Sequence, residues 1–115
     1  MSIMDFSGKR ILVIGAGISG RAASMALVRH GGQVVLNDMK AIDTSEAPWT
    51  EIAAAGVQLV FGSQDVSLLD GTDIVVPSPV ISPEIPIMKE AIRRQLPVWS
   101  EVEVACRVTD AAILG

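Results

Sequence analysis

Solid apolar runs alternate along this chain with segments whose apolar residues recur at helical spacing. The first run, Arg10-Ile11-Leu12-Val13-Ile14, is introduced by the turn Ser7-Gly8-Lys9 and stops abruptly at Gly15-Ala16-Gly17. It is apolar at consecutive positions rather than alternate ones, as suits a strand covered on both faces of a parallel sheet. A helix is predicted next over about Ser19 to His30, with Ala22, Ala23, Ala26 and Leu27 against the sheet and Gly31-Gly32 available for positive φ where it stops. Gln33 to Asn37 reads as the second strand, with Asp38 at its carboxyl end. Pro48 opens a short helix ending near Ala55-Gly56, Val57 to Phe61 is the third strand, Asp65 to Leu69 a brief helix or turn, and Asp73 to Pro77 the fourth strand.

The proline-rich stretch Ser78 to Pro86 reads as a loop. From about Pro86 a helix is predicted with Ile85, Met88 and Ile92 on its buried face and Lys89, Glu90, Arg93 and Arg94 on its solvated one. Pro97-Val98-Trp99 is predicted as a short fifth strand. Ser100 and Glu103 then form a capping box, each side chain bonding the other's backbone N–H, at the start of a last helix running to about Arg107. Ala111 to Gly115 reads as the opening of a further strand that is cut short. The expectation is therefore one α/β domain over residues 1–110, a Rossmann-like open parallel sheet of five strands with helices on both faces, followed by the start of a linker or strand at residues 111–115.

Composition narrows the class. Of 115 residues, 50% are hydrophobic and 19% charged, so the chain can bury a core and is not a disordered tail. No apolar stretch approaches the ~18 residues of a membrane-spanning helix. Nine basic against 13 acidic side chains, net charge −4, with no Lys/Arg cluster, argue against a nucleic-acid backbone as partner. Cys106 is the single cysteine, and Met1 to Arg10 lacks a signal-peptide apolar core, so a cytoplasmic setting is expected.

Gly15-Ala16-Gly17-Ile18-Ser19-Gly20 is a GxGxxG placed directly after a strand and before a helix. The first glycine permits the turn, the second lets a ligand approach the backbone, the third lets helix and strand pack closely, and the helix N-terminus supplies free N–H donors. A nucleotide or phosphate site is predicted. Asp38, eighteen residues past Gly20, sits where an open α/β sheet presents ligand-facing side chains and could accept from a ribose hydroxyl or a base N–H. Lys40 reads as an exposed loop lysine that could lie near a phosphate. Ser78-Pro79-Val80-Ile81 follows the fourth strand, across the switch-point crevice from the first, where a hydroxyl and backbone amides could meet the far side of the same ligand. His30 reads as a helix-end residue, Cys106 as core, Glu101 and Glu103 as helix-terminus acids, and Arg93-Arg94 as a solvated face. No Ser-His-Asp, HExxH, CxxC or GxxxxGK[ST] pattern is present.

Together, Gly8 to Gly20, Asn37-Asp38, Ser78-Pro79 and Ser100-Glu101-Val102-Glu103 resemble the amino-terminal domain of the Mur ligases, over essentially the whole chain. The likeness is greatest to members that add D-glutamate to UDP-N-acetylmuramoyl-L-alanine in cytoplasmic peptidoglycan-precursor synthesis. The resemblance implies that this domain holds the UDP part of the nucleotide sugar. Ile18 and Ser19, with Gly15, Gly17 and Gly20 around them, and Asp38, Met39 and Lys40 would contact the uridine end, while Ser78, Pro79 and Val80 would lie along the diphosphate. Val80 stands where the family commonly has glycine, and Met39 where a polar residue is frequent. The resemblance further implies an ATP- and Mg²⁺-using central domain after Gly115 that activates the substrate carboxylate as an acyl phosphate. It leaves no catalytic or metal-binding residue here, an inactive fragment by itself, and a monomer.

From the residues alone, a second reading stays open: the NAD-binding domain of an oxidoreductase, with Asp38 on the adenosine ribose. A third is a vestigial crevice in a domain that only supports protein contacts. The glycine turn and Asp38 do not separate them.

Overall fold

The computed structural model describes residues 6–100 together with Glu103 and Val104. In chain order its elements are β1 (Arg10–Ile14), α1 (Ile18–Arg29), β2 (Gln33–Asp38), α2 (Trp49–Ala54), β3 (Gln58–Phe61), a 3₁₀ segment (Val66–Leu69), β4 (Ile74–Pro77) and α3 (Pro86–Arg93). The strands form one parallel sheet in the order β3-β2-β1-β4. Leu12 lies beside Val35 on one side and Val75 on the other. Beyond β1 the ladder continues into the loops, because Gly15 N–H donates to Asn37 C=O and Ser78 N–H to Ile14 C=O, both at 2.8 Å.

The consecutive apolar positions of β1 split between two cores. Ile11 and Val13 join Leu27, Val34, Leu36, Ile52 and Val57 on the face covered by α1 and α2. Leu12 and Ile14 join Leu69, Val75, Ile87, Met88 and Ala91 on the face covered by the 3₁₀ segment and α3. All four β1 side chains are buried, and each contributes roughly 1.5–3 kcal/mol relative to exposure. The chain therefore winds one way from β1 through β3, then crosses to the other side of β1 to make β4. The switch point falls at the carboxyl ends of β1 and β4, where open α/β sheets keep their ligand crevice.

Two expectations are corrected. The sheet has four strands, not five, among the described residues. The segment Pro97-Val98-Trp99 makes a single parallel bridge, Val75 to Val98, held by Val75 N–H to Pro97 C=O and Trp99 N–H to Val75 C=O, each 2.9 Å. Pro97 has no N–H with which to extend the ladder, and Ser100 already turns the chain into the capping box. That box is present: Glu103 N–H donates to Ser100 Oγ at 3.1 Å and Ser100 N–H to Glu103 Oε1 at 3.3 Å. The buried face of α3 is also rotated from the predicted stripe. Ile87, Met88 and Ala91 are buried, Ile85 is half-buried and Ile92 is exposed. Small Ala91 lets the helix approach the sheet along the 87–91 line, and Ile92 lies about 100° further round, at the flank. The predicted end of the last helix at Arg107, Cys106, and the apolar run Ala111 to Gly115 lie outside the described residues.

Candidate functional site

The three glycines of the turn differ in what demands them. Gly15 has φ +106, and a Cβ there would sit 2.8 Å from Ser78 Cβ, so the turn needs both its left-handed backbone and its bareness. A Cβ on Gly20 would fall 1.8 Å from Gly15 O, so α1 could not start so close to β1 with any other residue. Gly17 is different. Its φ of −74 suits any residue, and a Cβ on it would meet nothing within 4 Å. Neither backbone strain nor internal packing requires glycine at this position.

Gly17 is the N-cap of α1, with no side-chain cap and no acid in the first turn. The positive end of the helix dipole is thus left uncompensated by the helix itself. Beside it, Asp38 joins two loops: Oδ2 accepts from Ala16 N–H at 2.8 Å and Oδ1 from Lys40 N–H at 2.9 Å. The Ala16 amide is therefore already used within the fold, and Asp38 offers a ligand only its remaining lone pairs.

Two hollows meet at Asp38. One, of about 350 Å³, lies over the switch point and is lined by Gly15, Asp38, Met39 and Val80 from the sequence-predicted set, with Gln64, Ile81, Ser82, Ile85 and Pro86. The other, of about 410 Å³, lies toward α2 and is lined by Ala16, Gly17, Asp38 and Lys40 with Arg21, Ala41, Ile42 and Trp49. In it the Arg21 guanidinium stacks 5.5 Å from the Trp49 ring centre, and Trp49 packs edge-on against Phe61. Ile18, Met39 and Val80 all project into solvent at the loops after β1, β2 and β4, with exposures of 79%, 67% and 87%. Met39 and Val80 line the switch-point hollow, whereas Ile18 lines neither.

Of the other predicted residues, Ser19 and Pro79 are exposed, Gly20 is buried against the turn, and Ser78 is half-buried beside Gly15; none of the four lines either hollow. Ser78 uses its backbone in the fold, its N–H on Ile14 and its C=O accepting from Ile81 N–H at 2.9 Å. Its hydroxyl has no partner among the described residues. Val80 fits its position without strain, since Gln95 is the one non-glycine with positive φ among the described residues.

Sequence reasoning missed Gln64, Arg21 and Trp49. Gln64 follows the carboxyl end of β3, a position that could have marked it, whereas Arg21 and Trp49 meet only through the packing of α1 on α2. Among the described residues no three His, Cys, Asp or Glu side chains gather as a metal site. No helix of the described residues is long and apolar enough to cross a membrane.

Comparison with known proteins gives the family. The model of the Mur ligase MurD-like N-terminal domain matches residues 9–100. The chain is 37% identical over 114 residues to a UDP-N-acetylmuramoylalanine–D-glutamate ligase of Shouchella clausii, covering 98% of this chain and 25% of that protein. It is 40% identical over 111 residues to the ligase of the same name from Exiguobacterium sibiricum, covering 96% and 24%. The chain thus spans about a quarter of the length of the curated relatives it matches. In fold it is similar to a pseudomurein peptide ligase type C from Methanothermus fervidus, with TM-score 0.71 and 19% identity over 84% of this chain and 20% of that one. By its match to that family model, the chain belongs to the MurD-like N-terminal domain family of the Mur ligases.

Proposed function

We propose that this chain binds the uridine diphosphate part of UDP-N-acetylmuramoyl-L-alanine, as the substrate-holding domain of an ATP-dependent, cytoplasmic ligase that adds D-glutamate in peptidoglycan synthesis. The observation that carries the reading is Gly17, a glycine that neither strain nor packing requires, set at an uncapped helix start in the hollow that meets the switch-point crevice at Asp38. A diphosphate lying along Ser78, Pro79 and Val80 adjoins the bare amides of that turn, since Ser78 packs against Gly15 and anions are favoured at a helix N-terminus. The base and ribose are suited to the hollow lined by Asp38, Met39 and Val80, where apolar tips can cover a flat ring while Asp38 accepts a hydrogen bond.

In this reading the 1–110 segment is the UDP-holding domain, residues 111–115 lead toward the domain that uses ATP and Mg²⁺, and the chain acts as a monomer without chemistry of its own. The test is calorimetric titration of the chain with UDP, UDP-N-acetylmuramoyl-L-alanine and NAD. Saturable binding of both uridine compounds, with NAD much weaker, is expected; a preference for NAD overturns the reading.

A further inference from the structure

We infer that Gln64 reads the edge of the base, and that buried Asn37 fixes which way its amide faces. The inference rests on the proposal that the switch-point crevice holds a uridine nucleotide. Asn37 is fully buried at the end of β2, and its Nδ2 donates to Val60 C=O at 2.8 Å and to Ser63 C=O at 2.7 Å. Two carbonyl oxygens facing one end of an amide admit only its NH₂ there, so Oδ1 must face the other way. Oδ1 accepts from Gln64 Nε2 at 3.0 Å. An acceptor facing Gln64 in turn requires the NH₂ of Gln64 on that side. The orientation is thus passed from the carbonyls of Val60 in β3 and Ser63 just after it, through Asn37, to a side chain that lines the crevice.

What remains on Gln64 is one N–H and Oε1, which has no hydrogen-bond partner among the described residues. A donor and an acceptor held side by side in a fixed order match one pyrimidine edge and oppose the other. Uracil presents N3–H as donor next to O4 as acceptor, so Gln64 Oε1 meets N3–H and Gln64 Nε2–H meets O4. Cytosine presents N3 as acceptor next to an amino donor, which sets like against like unless the amide turns over. Turning it over would break the bond to Asn37. Gln64 is therefore a specificity-determining residue, and Asn37 its positioning residue.

The experiment is calorimetric titration of the full chain with UDP and with CDP, in wild type, Gln64→Leu and the nearly isosteric Gln64→Met, with folding of each checked by its NMR spectrum. Wild type is expected to favour UDP by about tenfold, the scale of one good bidentate pair. Either folded variant is expected to bring the two affinities together, chiefly by weakening UDP. A UDP:CDP ratio that stays at its wild-type value in a folded variant overturns the inference, whether both affinities hold or both fall equally as a purely structural role would make them. If wild type binds no uridine nucleotide, the site reading fails and this inference with it, an outcome distinct from the first because it appears before any substitution.

Discussion

Asp38 and Ala16 are joined by a 2.8 Å hydrogen bond in which the carboxylate at the end of β2 accepts the N–H of the glycine turn after β1. Because the other carboxylate oxygen accepts Lys40 N–H, one side chain sets the spacing of the two loops that border both hollows. Asp38→Ala should act on fold and ligand together: about 1–2 kcal/mol of stability lost with the two charge-assisted bonds, and UDP affinity weakened by ~1–3 kcal/mol. Denaturant unfolding and calorimetry measure the two effects. Unchanged values of both would remove Asp38 from the site and from the frame that holds it.

The glycines of the turn provide a sharper contrast. Gly20→Ala forces a Cβ to within 1.8 Å of the Gly15 carbonyl oxygen, an overlap with backbone that costs roughly 3 kcal/mol or more. Gly17→Ala introduces no clash and suits the existing φ, so the gain of about 0.4–1 kcal/mol from a less flexible unfolded chain is set against alanine's poorer fit to an N-cap, and stability should change by less than about 1 kcal/mol. UDP affinity should nonetheless fall about tenfold, since a methyl group now stands where the ligand approaches. A Gly17→Ala protein that binds UDP as well as wild type would leave that glycine without explanation.

The contrast also marks how far the residues alone carried. The run Arg10–Ile14, the glycine turn and the Ser100–Glu103 box were readable because each is local: a strand, a bend and a cap are written in residues a few positions apart. What was not readable depends on partners brought in from afar. The fifth strand reduces to one bridge because Pro97 cannot donate next to Val75, and Ile92 is exposed because Ala91 lets α3 sit at a particular rotation. The place of Asp38 after the second strand marks it as a candidate, but its engagement with Ala16, twenty-two positions away, follows only from the pairing of β1 with β2. Gln64 and Asn37 meet across twenty-seven positions, and Arg21 and Trp49 across the α1–α2 packing; no periodicity points to either pair.

Glu90 gives a pH dependence with a definite sign. Hydrogen bonds from Arg93 and then Arg94 hold its carboxyl at about 2, below an ordinary value of 4.5. The unfolded chain therefore takes up the proton first, so stability from this cluster is complete above about 4.5 and is lost as pH falls toward about 2. Asp43 and Asp65, lowered by the Ser45 and Ser67 amides, act in the same direction. Glu90→Gln should be less stable than wild type near neutral pH, modestly because the pairs are solvent-screened, and the gap should close across that acid window. A gap independent of pH would mean that charge at Glu90 contributes nothing.

Asn37 offers the complementary case, a buried group whose chemistry can be reversed by one atom. Asn37→Asp replaces the NH₂ that serves Val60 and Ser63 with a carboxylate oxygen facing two carbonyls. Both carbonyls lose their donor and a buried charge gains none, which should cost about 3 kcal/mol near neutral pH. The new carboxyl is penalised in its charged form, so its folded-state pKa rises above the ordinary ~3.9 and the folded chain holds the proton more tightly. The deficit relative to wild type should therefore be full above the raised value and shrink as pH drops through it, since a protonated oxygen can again donate to one of the two carbonyls. Urea unfolding of both proteins between pH 7 and pH 4 follows that difference directly. A deficit that stays constant or grows on acidification would contradict the arrangement in which Asn37 acts as donor to the β3 loop.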